Sequence, residues 1–233
     1  MHIDWLRDQT GAVADAVTGL DPDRRVPTCP EWSVRELVAH VGLIQRRAAK
    51  IVRTGEAVPF PRYAEPPADW AGWLREGAAE LADAAIEAGA KEVWTFFGDR
   101  RPTAFWVRRM LHDTTIHAVD AALTAAKPYR IPAALAKDGI DEGLDLVGRM
   151  RGAELRGDGE TLRMVSPEGD GWLITREPDG PLWKRTVTES ADVTVTGTVQ
   201  DLLLLLYRRI GLDGVTVTGD RDLITHWLAH SAL

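Results

Sequence analysis

Three polar residues at predicted interior positions could together hold a metal ion. His40 lies among apolar residues of one predicted helix, while Asp113 and His117 are four residues apart on another, so their side chains share a face. A carboxylate and imidazoles on an inward face are costly unless they are paired or bind a metal. Two imidazoles and one carboxylate suit zinc with an open coordination position, and iron, manganese or nickel would also accept this set. The spacing alone leaves an ion pair or a hydrogen-bonded histidine open as the alternative.

Other reactive side chains have a less specific pattern. His112 is rotated away from the Asp113 face, which favours packing or support of the site. His226 and His230 are four apart near the C-terminus, without a third ligand near them in sequence, and we interpret them as part of an amphipathic helix. Cys29 precedes a helix, where a thiol pKa is lowered, but a packing role in a turn is favoured over a nucleophile.

The first half of the chain has the periodicity of helices. Ser33 followed by Glu36 forms a capping-box pattern that opens the second helix. Segment 26–32 is interpreted as a turn, segment 59–67 as a loop, and segment 92–102 has no clear assignment. The predicted helices cover residues 4–20, 33–54, 69–88 and 103–126. Four antiparallel helices of this length predict a bundle.

The pattern changes after Pro132. Helices are predicted at residues 133–151, 199–210 and 221–232, and strands at 161–165, 172–176, 191–196 and 215–218. This order predicts a small antiparallel sheet with helices packed on one face. The predicted fold class is therefore α+β, with an N-terminal helix bundle at residues 1–130 and an α+β domain at residues 131–233.

Two motifs resemble those of a known enzyme family. Residues 26–42, VPTCPEWSVRELVAHVG, are similar to the first motif of the mycothiol-dependent maleylpyruvate isomerase family, and residues 108–121, RRMLHDTTIHAVDA, to its second. Segments 192–198, 207–209 and 217–220 resemble the sterol-carrier-like C-terminal domain of that family. The resemblance covers nearly the whole chain and implies a DinB-like metal-binding four-helix bundle followed by that domain.

The resemblance implies a thiol chemistry. His40, Asp113 and His117 would be the metal ligands, and a divalent cation would stabilise the thiolate of mycothiol. That metal-bound thiolate would act on a small, maleylpyruvate-like electrophile, either as an isomerase or as a thiol S-transferase. Arg209 matches a family arginine that would pair with a substrate carboxylate. An equal alternative is that Arg209 only places a favourable positive charge at the C-terminal end of a helix. Asp120 would support His117.

One departure from the family motif affects the metal site. The acid ligand is usually glutamate there, whereas this chain has Asp113, which is one methylene shorter. The site would have to contract, recruit a water or bind metal more weakly. A non-catalytic or regulatory metal-binding or ligand-binding protein of the same fold is therefore the alternative function. A metal-dependent hydrolase of thiol conjugates is a third possibility.

Composition restricts the partners. The chain has 233 residues, a net charge of −7 and one cysteine. The negative charge argues against nucleic acid and anionic membranes, which need concentrated Lys and Arg. One cysteine cannot form an intrachain disulfide, and no export signal is visible at the N-terminus, so we expect a cytoplasmic protein. We expect small-molecule partners and a monomer or small homo-oligomer.

Overall fold

The computed structural model describes residues 1–150 and 152–232. It divides into two compact units, Met1–Tyr129 and Arg130–Leu233, which we call the N-terminal and C-terminal units. Within the described residues, no helix has the length and apolar character needed to cross a membrane.

Four helices pack against one another in the N-terminal unit. Their bounds are α1 His2–Val17, α2 Val34–Thr54, α3 Trp70–Ala88 and α4 Ala104–Thr124. The predicted capping box is confirmed, because the Ser33 hydroxyl accepts from the Glu36 amide and the Glu36 carboxylate accepts from the Ser33 amide. Helix α2 ends at Thr54 and is capped by Gly55, whose φ of 82° favours glycine. The predicted helices are thus present, with ends that differ by a few residues.

The apolar faces of α1, α2, α3 and α4 form the core of this unit. The buried cluster includes Val13 and Val17 of α1, Leu37 and Val41 of α2, and Leu74 of α3. A helix that buries one such face is stabilised mainly by packing rather than by its intrinsic propensity. The core therefore fixes which face of α2 and of α4 points inward.

Two short hairpins flank the helices. Strands β1 Arg25–Val26 and β2 Cys29–Ser33 pair antiparallel, as do β3 Glu92–Trp94 and β4 Arg100–Pro102. The interpretation of segment 26–32 as a turn was therefore wrong in part. Strands of two to five residues are too short to show a clear alternation of apolar and polar residues, which is why the sequence did not reveal them.

Within residues 130–150 and 152–232, the C-terminal unit contains one five-stranded sheet and three α-helices. The strand order is β7-β6-β5-β8-β9. The strands are β5 Thr161–Val165, β6 Gly171–Glu177, β7 Gly180–Arg185, β8 Val193–Thr196 and β9 Thr216–Gly219, and the helices are α5 Ala133–Val147, α6 Val199–Leu206 and α7 Arg221–His230. On β5 and β8 buried and partly exposed residues alternate, so one face of the sheet is covered. The α+β fold class is confirmed.

Three details of the predicted C-terminal unit were wrong. The sheet is mixed rather than antiparallel, because β5 and β8 pair in parallel. Strand β7 was missed, since Pro181 breaks the usual strand pattern; proline is tolerated there because β7 is an edge strand. Helix α6 ends at Leu206 rather than at residue 210, and Arg208 has a left-handed φ of 59°. Helix α5 ends at Val147, and its predicted end at Arg151 lies outside the described residues.

Candidate metal centre

His40, Asp113 and His117 lie together inside the N-terminal unit. The Asp113 Oδ2 atom is 3.6 Å from His40 Nε2 and 3.6 Å from His117 Nε2. One ligand atom from each residue lies within 4.8 Å of the other two. The two imidazole rings meet edge to face, with centroids 4.9 Å apart. The structure thus brings together the three predicted ligands from α2 and α4.

Local helix geometry explains this convergence. On α2, the residues Leu37 and Val41 are fully buried, and His40 lies between them on a half-buried edge of the same face. On α4, the four-residue spacing stacks Asp113 and His117 on one side of the helix. His117 is buried, whereas His40 and Asp113 keep about a fifth of their side-chain area exposed. The cluster is therefore set into the core but remains accessible.

The two carboxylate oxygens of Asp113 differ in their contacts. Its Oδ1 accepts a hydrogen bond from Arg109 Nη2 at 3.0 Å. Its Oδ2 is buried and has no hydrogen-bond partner among the residues that the structure describes. Burial by itself would raise the pKa of Asp113, but the nearby imidazoles of His40 and His117 and the Arg109 guanidinium outweigh burial and hold that pKa well below its usual range. Asp113 is therefore a carboxylate at neutral pH.

Asp120 fixes the orientation of His117. Its Oδ2 lies 2.9 Å from His117 Nδ1, and its side chain is fully buried. Its Oδ1 accepts from the Thr28 hydroxyl at 2.6 Å, and the Cys29 Sγ lies 3.7 Å from Oδ2. Because a carboxylate can only accept, Nδ1 of His117 must carry the proton. The lone pair of a neutral His117 is then at Nε2, which faces Asp113.

Trp32 and an apolar cavity lie beside the cluster. The Trp32 ring centroid is 4.7 Å from that of His40 and 5.5 Å from that of His117. A cavity of about 180 Å³ opens next to His40 and is lined mainly by Trp32, Leu43, Ile44 and Phe60. The cluster therefore borders an apolar space that a small molecule could enter.

The donor set fits a divalent metal ion. The Asp113 Oδ2 atom has no hydrogen-bond donor and faces two imidazole nitrogens, and a buried carboxylate oxygen without a donor is costly unless a cation is near. Metal–ligand lengths of about 2.0–2.1 Å imply ligand–ligand separations of about 3.3 Å in a tetrahedral site. The observed 3.6 Å separations are a few tenths of an ångström longer. The shorter aspartate thus still reaches both imidazoles.

Other residues singled out in the sequence have varied positions. Arg209 lies beyond the end of α6 in the C-terminal unit, where its Nη1 donates to the Tyr207 carbonyl at 2.9 Å, and its role stays a prediction. His112 is buried. His226 and His230 do have a potential third ligand, Glu154, which comes from a distant part of the chain.

Sequence reasoning missed several neighbours of the cluster. Arg109 could have been found, since it precedes Asp113 by one helical turn and opposite charges at that spacing pair. Trp32 and Thr28 could not, because they approach α4 from a separate hairpin. Only the fold brings these residues together.

A known family model matches this part of the chain. The model describes the N-terminal domain of mycothiol maleylpyruvate isomerase, and it matches residues 5–122, about half of the chain. The chain belongs to this family. The match spans α1 to α4, so it includes all three residues of the candidate metal centre.

Solved structures extend the likeness to both units. A crystal structure of the mycothiol-dependent maleylpyruvate isomerase matches with a TM-score of 0.62 and 18% identity, covering 93% of this chain and 91% of that chain. A structure of a mutant of that isomerase matches with a TM-score of 0.65 and 17% identity, at the same coverage. At this identity the matches establish the fold of this family member. No curated protein matches the chain.

Proposed function

We propose that this chain is a divalent-metal- and mycothiol-dependent isomerase or thiol S-transferase that acts on a small, maleylpyruvate-like electrophile. The observation that carries the proposal is the Asp113 Oδ2 atom, which has no hydrogen-bond donor and lies 3.6 Å from the Nε2 atoms of His40 and His117. Membership of the mycothiol maleylpyruvate isomerase family supports the reaction class.

Each residue of the centre has a distinct role in this proposal. His40, Asp113 and His117 would hold the metal, for which zinc is the first choice and iron, manganese or nickel are alternatives. When bound, a divalent cation lowers the pKa of a thiol and so supplies a nucleophile at neutral pH. Asp120 keeps the proton of His117 on Nδ1, which leaves Nε2 free as a ligand. Arg109 holds Asp113 so that Oδ2 points at the imidazoles.

The cavity beside His40 would receive the electrophile. Its volume of about 180 Å³ is smaller than the roughly 300–1,000 Å³ of pockets that take drug-sized ligands, which favours a small substrate. The apolar side chains of Trp32, Ile44 and Phe60 would exclude water from the thiolate.

A polar cleft next to the cavity would accommodate the polar part of the thiol. This cleft has a volume of about 420 Å³ and is lined by Asp23, Arg25, Ser33 and Arg35. Glu36 and Tyr63 line both the cleft and the apolar cavity. A polar thiol in the cleft could therefore reach the cavity with its sulfur.

Arg209 is proposed to bind a substrate carboxylate. A guanidinium matches a carboxylate with two parallel hydrogen bonds, which a lysine cannot reproduce. If Arg209 has this role, Arg209→Lys raises KM for maleylpyruvate more than it lowers kcat. If Arg209 only ends α6, both constants stay unchanged.

The proposed function is tested by supplying the metal, the thiol and an electrophile. The zinc- or iron-loaded chain is incubated with mycothiol and either maleylpyruvate or a bimane electrophile, and isomerisation and conjugate formation are followed. We expect turnover that needs both metal and mycothiol, is lost in His117→Ala and persists in His2→Ala, a matched histidine change outside the centre.

Two other results would redirect the assignment. Release of mycothiol from a preformed conjugate, without free electrophile, would show a hydrolase instead. Metal binding without any of these reactions would favour the alternative, a non-catalytic or regulatory metal-binding or ligand-binding protein of the same fold.

A further inference from the structure

A second cluster of potential metal ligands lies in the C-terminal unit. Glu154 belongs to a 3-10 turn, Ala153–Leu155, while His226 and His230 lie on α7. One ligand atom from each of the three residues lies within 4.8 Å of the others. Glu154 and His230 are exposed and His226 is half-buried, so an ion could reach the cluster from solvent.

Both imidazoles are already oriented by backbone carbonyls. His226 Nε2 lies 2.7 Å from the Glu154 carbonyl oxygen, and His230 Nδ1 lies 2.8 Å from the His226 carbonyl oxygen. Because a carbonyl oxygen only accepts, these ring nitrogens carry the protons. The lone pairs are then at Nδ1 of His226 and Nε2 of His230. Metal-binding histidines commonly donate their other N–H to a backbone carbonyl in this way.

Helix α7 provides a rigid base for the pair. The four-residue spacing puts both histidines on one face, with ring centroids 4.3 Å apart. The Asp220 side chain caps the N-terminus of α7 by accepting from the Asp222 and Leu223 amides. Buried Leu223 and Trp227 lie on an adjacent face of the helix and anchor it. The two histidines therefore lose little conformational freedom when a cation binds.

We propose that Glu154, His226 and His230 form a second divalent-metal site, of a type that takes zinc or another borderline transition metal. Two imidazoles and one carboxylate are the donor set that zinc accepts, and paired histidines one helical turn apart are a common zinc arrangement. A cation there would join the turn at Ala153–Leu155 to α7, which lies about 70 residues further along the chain. This site would be structural, and it does not depend on the proposed enzymatic function.

The competing explanation is that hydrogen bonds alone connect the turn at Ala153–Leu155 to α7. The contact between His226 and the Glu154 carbonyl already ties the turn to α7 without an ion. Glu154→Gln separates the two explanations, because it removes the carboxylate and keeps the backbone carbonyl. Glu168→Gln, an exposed glutamate of the same unit outside the cluster, is the matched control.

The experiment measures zinc binding to the C-terminal cluster alone. An untagged full chain carrying His117→Ala, which disables the N-terminal centre, is titrated with zinc by calorimetry. We expect one bound ion, with affinity reduced at least about tenfold by Glu154→Gln or His230→Gln and unchanged by Glu168→Gln. Zinc should also slow amide hydrogen exchange in α7, and Glu154→Gln should abolish that protection. If His117→Ala does not fold, Asp113→Asn replaces it.

Two results would overturn the proposal. One is the absence of zinc binding in the chain with the disabled N-terminal centre. The other is zinc binding that Glu154→Gln leaves unchanged. That result would show that the two histidines bind zinc adventitiously and that hydrogen bonds alone connect the turn to α7. Neither result bears on the N-terminal centre, so failure of this proposal is distinguishable from failure of the proposed function.

Discussion

Replacing Asp120 by asparagine tests how the N-terminal centre is held. Asp120 is fully buried and accepts hydrogen bonds from His117 Nδ1 at 2.9 Å and from Thr28 at 2.6 Å. Asparagine has the same shape, so one oxygen can still face His117 while its amide donates to the Thr28 hydroxyl. The substitution removes the negative charge of the Asp120 carboxylate, and this loss lowers the basicity of His117 Nε2 as a metal ligand.

The expected effect is a loss of metal affinity without a loss of the fold. Removing a partner of this kind typically weakens metal binding about 10–100-fold. Since hydrogen bonding is conserved in the asparagine variant, we expect a loss near the lower end, about tenfold, or about 1.4 kcal/mol. We expect larger losses for Asp120→Ala, which would remove the acceptor of both the buried His117 Nδ1 and the half-buried Thr28 hydroxyl.

The assay is a chelator competition for zinc. It uses a chain that carries Glu154→Gln, so that the C-terminal cluster does not contribute. Asp8→Asn, an exposed change on α1, is the control for loss of one negative charge. Urea unfolding of each variant shows whether the fold is intact. Unchanged affinity in Asp120→Asn, or an equal loss in Asp8→Asn, would refute the role assigned to Asp120.

Three further predictions concern the stability of the N-terminal unit. Burial raises the pKa of Tyr129 to about 12, so the folded state favours the neutral phenol. The free energy of unfolding should therefore be constant below about pH 10 and decrease between about pH 10 and 12. Tyr129→Phe should reduce this decrease, which is measured by urea titrations. Ser33→Ala removes the cap of α2 and should lower the free energy of unfolding by about 1 kcal/mol, also read from urea titrations. A Cβ on Gly42 would lie 2.1 Å from a ring atom of Trp73, so Gly42→Ala should lower the free energy of unfolding by about 1–3 kcal/mol, measured by thermal unfolding. Gly11→Ala is the control, because its Cβ would meet open space and should not destabilise the protein.

Local signals in the sequence were sufficient to predict the helices of the N-terminal unit and the faces of α2 and α4 on which His40, Asp113 and His117 lie. The capping pattern at Ser33 placed the start of α2, and helical spacing placed Asp113 and His117 on one face. His40 followed from its apolar neighbours on α2, which are buried as predicted. These features depend on residues within one or two helical turns, which is the range over which periodicity is informative.

Features that depend on distant residues could not be predicted. The parallel pairing of β5 with β8 is a property of the sheet, and the sequence of neither strand indicates which strand it pairs with. Thr28 reaches Asp120 across 92 positions, and Glu154 reaches His226 across 72. Contacts of this kind arise from packing and topology, so a single sequence contains no local pattern for them.

Zinc stoichiometry in the N-terminal centre is the most direct test of the central claim. An untagged chain carrying Glu154→Gln is equilibrated with zinc, dialysed and assayed for metal, alongside the same chain carrying His117→Ala. The account predicts about one zinc ion per chain in the first protein and loss of that ion in the second. No bound zinc in either protein, or equal zinc in both, would contradict the assignment of His40, Asp113 and His117 as a metal site.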